Sequence, residues 1–99
     1  MLTSSARQGL KAKAHHLKPV VLLGAKGVSP SVLAELDRAL TDHELIKVQL
    51  PALDREEREA CIAELVSNNG AEIVGRIGRV LILYRPRSDS PKPSSTDHP

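Results

Sequence analysis

The chain has 99 residues, of which 40% are hydrophobic and 26% charged, and its formal net charge is +2. This balance is typical of one soluble globular domain, and it excludes two domains with separate cores, a disordered chain and a membrane protein. One cysteine excludes an internal disulfide, and one tyrosine without Phe or Trp excludes an RNA reader that stacks bases on several aromatic rings.

The first predicted element is a helix over 2–17. Thr3 is its expected N-cap, and apolar side chains recur at helical spacing, namely Ala6, Leu10, Ala14 and Leu17. The same spacing places a basic stripe beside this apolar face, consisting of Arg7, Lys11, His15 and Lys18. Pro19 ends the helix.

A wholly apolar run at 20–23 predicts a short strand that is buried on both faces or lies at the centre of a small sheet. A glycine-containing turn over 24–27 follows. Ser29 is then the expected N-cap of a second helix, with Pro30 at its first position. The apolar face of this helix consists of Val32, Leu33, Leu36 and Leu40.

The second half of the chain contains a strand over 44–50, a third helix and two further strands. In the first of these strands, Ile46, Val48 and Leu50 share one face and Lys47 lies on the other. Asp54 and Glu57 predict a capping box for the third helix. Its apolar face consists of Cys61, Ile62, Leu65 and Val66, and it ends at Asn68-Asn69-Gly70.

Strands over 72–77 and 80–84 are joined across Gly78-Arg79, which fits a type II′ hairpin. The run at 80–83 has no polar alternation and predicts an interior strand. The order α-β-α-β-α-β-β contains two βαβ units and therefore predicts an α/β fold with a mixed sheet. We expect residues 1–86 to form the domain and the Pro- and Ser-rich segment 87–99 to be a disordered tail.

The charges are distributed unevenly along the chain. Residues 1–30 carry +5 and residues 73–87 carry +4, in both cases without an acid, whereas residues 31–72 carry −6. If the two basic segments meet in space they form one positive face, for which a polyanion is the natural partner. The alternative is that the basic and acidic segments neutralise each other across the fold.

The turn Gly24-Ala25-Lys26-Gly27 is the first candidate site. It brings backbone N–H groups, a cation and the N-terminus of a helix to one point, an arrangement that lets a phosphodiester approach the backbone. The KH domain clamps nucleotides through a GXXG loop on this logic. The alternative is a tight connection between a strand and a helix, and the pattern is not a P-loop.

Three arginines of the second basic segment are the next candidates, Arg76, Arg79 and Arg85. Arg79 is placed at the hairpin tip and Arg85 at the end of the last strand, where long cations reach phosphate. The alternative for each arginine is that it serves the solubility of the sheet edge and surface. Lys47 is either a phosphate contact or part of the solvated side of the sheet.

The residues that could support catalysis do not form a constellation. His15 and His16 are adjacent, about 100° apart on a helix, and cannot chelate a metal in the i, i+4 manner. Cys61 belongs to an apolar face, which favours a core position. The Asp42-His43-Glu44 run could bind a metal, but a polar turn between a helix and a strand is favoured. The sequence predicts no enzyme, no metal and no cofactor.

Taken together, these segments resemble the YhbY-like CRM domain (chloroplast RNA splicing and ribosome maturation) in its bacterial single-domain form. The resemblance covers about residues 2–86 and is carried by the segments at 14–19, 24–27, 43–48 and 77–85. It implies a two-layer α/β fold with a four-stranded mixed sheet, similar to the C-terminal domain of bacterial translation initiation factor three. Gly9, inside the first helix, departs from the pattern and costs about 1 kcal/mol relative to Ala.

The resemblance also implies RNA binding and association with precursors of the large ribosomal subunit. We therefore expect a cytoplasmic, monomeric RNA-binding factor that acts in large-subunit assembly and does not contact membranes. The predicted RNA-binding residues are Gly24, Ala25, Lys26, Gly27, Arg7, Lys11, Lys18, Lys47, Arg76, Arg79 and Arg85. The alternative is a protein-interaction module whose acidic segment at 35–72 docks a basic ribosomal protein.

Overall fold

A computed structural model describes residues 3–25 and 27–86 of the chain. Lys26 and the predicted disordered tail at 87–99 lie outside the described residues. The elements are α1 (Ser4–Ala14), β1 (Pro19–Leu22), α2 (Pro30–His43), β2 (Leu45–Gln49), α3 (Arg55–Asn69), β3 (Glu72–Ile77) and β4 (Val80–Tyr84). The predicted order α-β-α-β-α-β-β and the α/β class are confirmed.

The four strands form one mixed sheet in the order β1-β2-β4-β3. β1 runs parallel to β2, while β4 lies between β2 and β3 and is antiparallel to both. The prediction that the last strand is interior is confirmed, and Leu81, Ile82 and Leu83 are all buried. Apolar side chains on both faces of β4 require cover on both faces of the sheet.

Helices α2 and α3 cover one face and enclose the larger part of the core. Leu36 and Leu40 of α2 pack with Ile62 and Leu65 of α3 against side chains of β1, β2 and β4. The predicted caps are present. Ser29 Oγ accepts a hydrogen bond from the Val32 amide at 3.2 Å. Asp54 and Glu57 form the reciprocal capping box, and Gly70 ends α3 in the left-handed conformation at φ 65°.

Helix α1 packs on the opposite face of the sheet, against a smaller cluster. Its only buried residue among those described is Ala14, which lies against Val74 and Ile82, with Leu10 partly buried beside them. The sheet is thus one of the two expected layers, and α2 with α3 is the other. Helix α1 adds a partial third layer on the opposite face of the sheet. The helix ends three residues before the predicted end, because the Leu17 amide turns back to the Ala14 carbonyl at 2.9 Å.

The prediction that the apolar run at 20–23 is buried on both faces or central is wrong. β1 is an edge strand that pairs only with β2, and among its residues only Val21 is buried. Val20 and Leu22 are 47% and 64% exposed, because α1 does not extend over this edge of the sheet. An apolar run predicts a strand, but the number of its side chains that are buried depends on the position of the strand in the sheet.

We expect α1 to open locally more readily than the sheet, because it has one buried side chain and a glycine in its interior. Hydrogen exchange at neutral pH should show α1 amides exchanging faster than β4 amides, whose protection should approach the global unfolding limit. Equal protection of the two elements would contradict this expectation.

Candidate nucleic-acid interface

Two of the predicted functional segments lie at one end of the sheet. Because β1 and β2 are parallel, both end there, and the β3–β4 hairpin turns at the same end. The Leu23 amide donates to Gln49 O at 2.9 Å, and the Leu50 amide donates to Arg79 O at 2.8 Å. We call this the loop end of the sheet, and it holds both the 24–27 turn and Arg79.

The glycine turn is closed by a hydrogen bond of 2.9 Å from the Gly27 amide to Gly24 O. Gly27 has φ 76°, a value that favours glycine over residues with a Cβ atom. Gly24 and Ala25 are exposed, and α2 begins at Pro30 without an acid in its first turn. The turn therefore presents exposed backbone beside the positive end of a helix dipole.

Arg79 is exposed at the tip of the β3–β4 hairpin. Gly78 before it has φ 58°, as the predicted type II′ turn requires at its first position. Strand spacing separates the hairpin tip from the glycine turn by roughly 10–14 Å. The two segments are close enough to contact one polyanion.

A groove of about 530 Å³ runs between α1 and the sheet, and we call it the basic groove. Its lining residues are Lys11, Ala12, His15, Lys47, Arg76, Ile77 and Ile82, so no carboxylate from residues 3–25 or 27–86 borders it. Lys11 lies across β3 at Gly75, where an added Cβ would come within 2.6 Å of Lys11 Cε. The missing side chain of Gly75 thus makes room for the stem of Lys11.

Lys47 lies within this groove and is held in place. Its Nζ donates to Leu17 O at 3.0 Å, which ties the connection between α1 and β1 to β2. One ammonium group has three donors, so two remain for another acceptor. Lys47 therefore both stabilises the fold and lines the groove. The sequence-based alternatives, a phosphate contact or a solvated side chain, did not include this structural role.

The basic stripe predicted along the first helix divides into two parts. Arg7 and Lys11 are one turn apart on α1, and His15 follows Lys11 at the helix end. Lys18 lies beyond the end of α1, in a second cleft of about 560 Å³ that is also bordered by Lys13 and Tyr84. The structure thus places Lys18 on the other flank of α1, away from Lys11.

Arg76 is partly neutralised by an acid on α3. Its guanidinium donates two hydrogen bonds to the Glu59 carboxylate, at 2.6 and 3.2 Å. The hydrogen bond from Arg76 holds the pKa of Glu59 below its ordinary value, and the charge of Arg76 acts in the same direction. Arg76 borders the basic groove, but its charged group is turned towards α3.

Arg85 serves the fold. One terminal nitrogen donates to Asp37 Oδ1 at 2.8 Å and to Asn69 O at 3.0 Å, and the other donates to Asp37 O at 3.1 Å and Thr41 Oγ1 at 2.9 Å. These bonds join the end of β4 to α2 and to the end of α3. The guanidinium is engaged at the end of the sheet opposite the loop end, and its role as a phosphate contact stays a prediction.

The described residues offer little to catalysis. Cys61 is buried in the core, as predicted, and burial raises the pKa of its thiol, so the reactive thiolate is disfavoured. No group of three potential metal ligands occurs within the described part of the chain. Over the same residues, no helix has the length and apolar character needed to cross a bilayer.

Sequence reasoning missed the contact between Lys11 and Gly75. A signal for the contact was present, because a glycine inside a strand pattern often marks the close approach of another group. The identity of that group depends on α1 crossing the second face of the sheet. No spacing within the sequence specifies that crossing.

The chain is thus a small α/β domain with a mixed four-stranded sheet, an exposed glycine turn and a groove lined by cations. The sequence model of the CRS1/YhbY (CRM) domain matches residues 2–85, which is nearly the whole chain. The chain therefore belongs to the CRS1/YhbY (CRM) domain family.

Similar proteins cover most of the chain. A protein of Haemophilus influenzae named RNA-binding protein is 45% identical over 89 residues, which span 90% of each chain. A protein of Pseudomonas aeruginosa named probable RNA-binding protein is 42% identical over 93 residues, covering 94% of this chain and 86% of its own. The solution structure of a hypothetical protein from Staphylococcus aureus, 26% identical, matches with a TM-score of 0.77 over 90% of this chain and 93% of the other.

Replacing Arg85 should destabilise the fold. We expect Arg85→Ala to lower the free energy of unfolding by about 1–2 kcal/mol, because it removes charge-assisted bonds and leaves the partly buried Asn69 carbonyl without this donor. Urea unfolding followed by circular dichroism measures this change. Arg79→Ala is the matched control and should change stability by less than about 0.5 kcal/mol. Equal stability of the two variants would contradict the structural role of Arg85.

Proposed function

We propose that this chain is a non-catalytic RNA-binding protein that acts in assembly of the large ribosomal subunit. Membership of the CRM family and relatives named as RNA-binding proteins support the RNA-binding part. The observation that carries the proposal is the basic groove, which has Lys11, His15 and Lys47 on its walls and no carboxylate within the described part of the chain. Phosphate is the ligand that such a groove attracts most strongly.

The proposed RNA contacts are electrostatic and depend on backbone shape. The exposed glycine turn receives one phosphate beside the positive end of the α2 dipole, and Lys26 adds a charge in the same segment. Arg79 at the hairpin tip and Lys11 in the groove extend the contact along the RNA backbone. Arg7, one helical turn before Lys11 on α1, adds a further cation to the proposed contact.

The ribosomal part of the proposal comes from the family resemblance, which also favours ribosomal RNA in large-subunit precursors as the partner. Sedimentation of the tagged protein from growing cells, with and without ribonuclease, tests it directly. We expect comigration with large-subunit precursors that is lost after ribonuclease treatment. A protein that stays at the top of the gradient in cells making ribosomes normally would contradict the ribosomal role.

Binding to RNA should fall steeply with salt. If about five phosphates are neutralised, the logarithm of the association constant should fall against the logarithm of salt concentration with a slope of about −3 to −5. Fluorescence anisotropy with a labelled fragment of large-subunit ribosomal RNA measures this slope. Binding that does not respond to salt would contradict a phosphate-centred interface.

Charge reversal in the proposed interface should weaken binding without unfolding the protein. We expect Arg79→Glu and Lys26→Glu each to weaken RNA binding about tenfold and to reduce the salt slope by about one. Glu56→Lys, on the exposed first turn of α3, is the control with the opposite sign and should leave binding unchanged or slightly tighter. Unfolding midpoints in urea verify that each variant is folded.

The alternative function is docking of a basic protein by the acidic middle segment. Glu57 and Glu59 of this segment serve the capping box and the Arg76 ion pair, and Glu56 is exposed on the first turn of α3. If the alternative holds, Glu56→Lys abolishes comigration with ribosomal precursors and Arg79→Glu does not. The same two variants therefore separate the two functions.

A further inference from the structure

One row of side chains on the α1 face of the sheet has no cover among the described residues. It runs across all four strands at the loop end, where Leu22 pairs with Gln49, Gln49 with Val80, and Val80 with Ile77. Residues paired across strands point to the same face, so these four side chains form a continuous line. We call it the open row.

The open row is apolar except at one position, and it is unusually exposed. Leu22 is 64% exposed and Ile77 is 62% exposed, while Val80 is partly exposed and Gln49 is exposed. The next rows on the same face are covered, because Ala14 and Leu10 of α1 pack on Ile82 and Tyr84. The row is bare because α1 crosses the sheet nearer to its other end.

Three cations lie beside the open row. Lys47 precedes Gln49 by two residues on β2 and therefore faces the same side, and Lys11 lies across β3 at Gly75. Arg79 lies at the loop end, immediately before Val80. An occupant of the row therefore needs apolar surfaces for its centre and negative charge along its edges.

A second copy of this chain does not meet those requirements. In a symmetric contact the same patch faces itself, so the cations of one copy would be brought towards the same cations of the other. A segment of nucleic acid with unpaired bases has planar apolar faces and a charged backbone. Sheets of four strands bind two or three unpaired bases of RNA in other folds, where aromatic rings supply the contact.

We propose that the open row receives two or three unpaired bases of a single-stranded RNA segment, whose phosphates contact Lys11, Lys47 and Arg79. This inference rests on the proposed RNA-binding function and specifies the form of RNA that is bound. The row is roughly 14 Å long across four strands, so more than one base can lie with its face against it.

The chemistry of the row also predicts little base selectivity. Aliphatic side chains contact any base face, and the Gln49 amide at the centre both donates and accepts, so it can pair with the edge of any base. In a duplex the base faces are hidden by stacking and the Watson–Crick edges are hidden by pairing. Single-stranded RNA should therefore bind more tightly than the same RNA in a duplex.

The test compares two probes and two kinds of variant by fluorescence anisotropy with the full chain. The probes are a labelled twelve-nucleotide RNA of mixed sequence and the same RNA annealed to its complement. The double variant Leu22→Ser/Ile77→Ser should bind the single strand about tenfold more weakly, keep the wild-type salt slope and bind the duplex as the wild type does. Val20→Ser removes an exposed apolar side chain of β1 that lies outside the open row, and it is the matched control, expected to bind both probes normally.

The outcomes distinguish this inference from the function on which it rests. If the wild type binds neither probe, the RNA-binding function fails. If it binds both with a steep salt slope, and the double variant binds the single strand as the wild type does, only the open row fails as a base-binding surface. Wild-type dimers in sedimentation equilibrium that the double variant does not form would assign the row to self-association and overturn the inference. An unchanged urea midpoint of the double variant ensures that weaker binding is not caused by unfolding.

Discussion

Burial of β4 on both faces is the constraint on which the rest of the arrangement depends. Leu81 and Leu83 pack with α2 and α3, while Ile82 packs on the opposite face with α1. A strand of this composition is stable only inside a sheet that is covered on both sides. Helix α1 therefore has to lie apart from the other two helices. Because it is only eleven residues long, it covers part of its face and leaves the loop end of the sheet bare.

The local structure could be predicted closely from the sequence because its signals are local. The capping box at Asp54, the Ser29 cap with Pro30 and the left-handed Gly70 each depend on residues within one or two turns. The two strands of the hairpin, 72–77 and 80–84, have the predicted bounds. The exposure of β1 could not be predicted in this way, because it depends on the order of strands in the sheet. That order is decided by contacts between residues far apart in the chain.

The candidate site was predicted in part, and the arginines show why. Arg79 and Arg85 have the same side chain and lie in the same basic segment, yet one is exposed at a hairpin tip and the other is bonded to α2 and α3. The acceptors of Arg85 are 16 to 48 residues away in sequence. Counting charges along the sequence identifies the basic segment. Which of its arginines can bind a ligand depends on where the folded chain places hydrogen-bond acceptors for them.

The form of β1 has a consequence for the protein at high concentration. An edge strand with exposed apolar side chains can add a strand from another molecule, which is the first step towards aggregates. β1 has only four residues, begins with a proline that lacks an N–H donor, and has an irregular register between Pro19 and Val21. These features leave little straight edge for an incoming chain, so the apolar surface of Leu22 can stay exposed while strand-by-strand growth of the sheet is restricted.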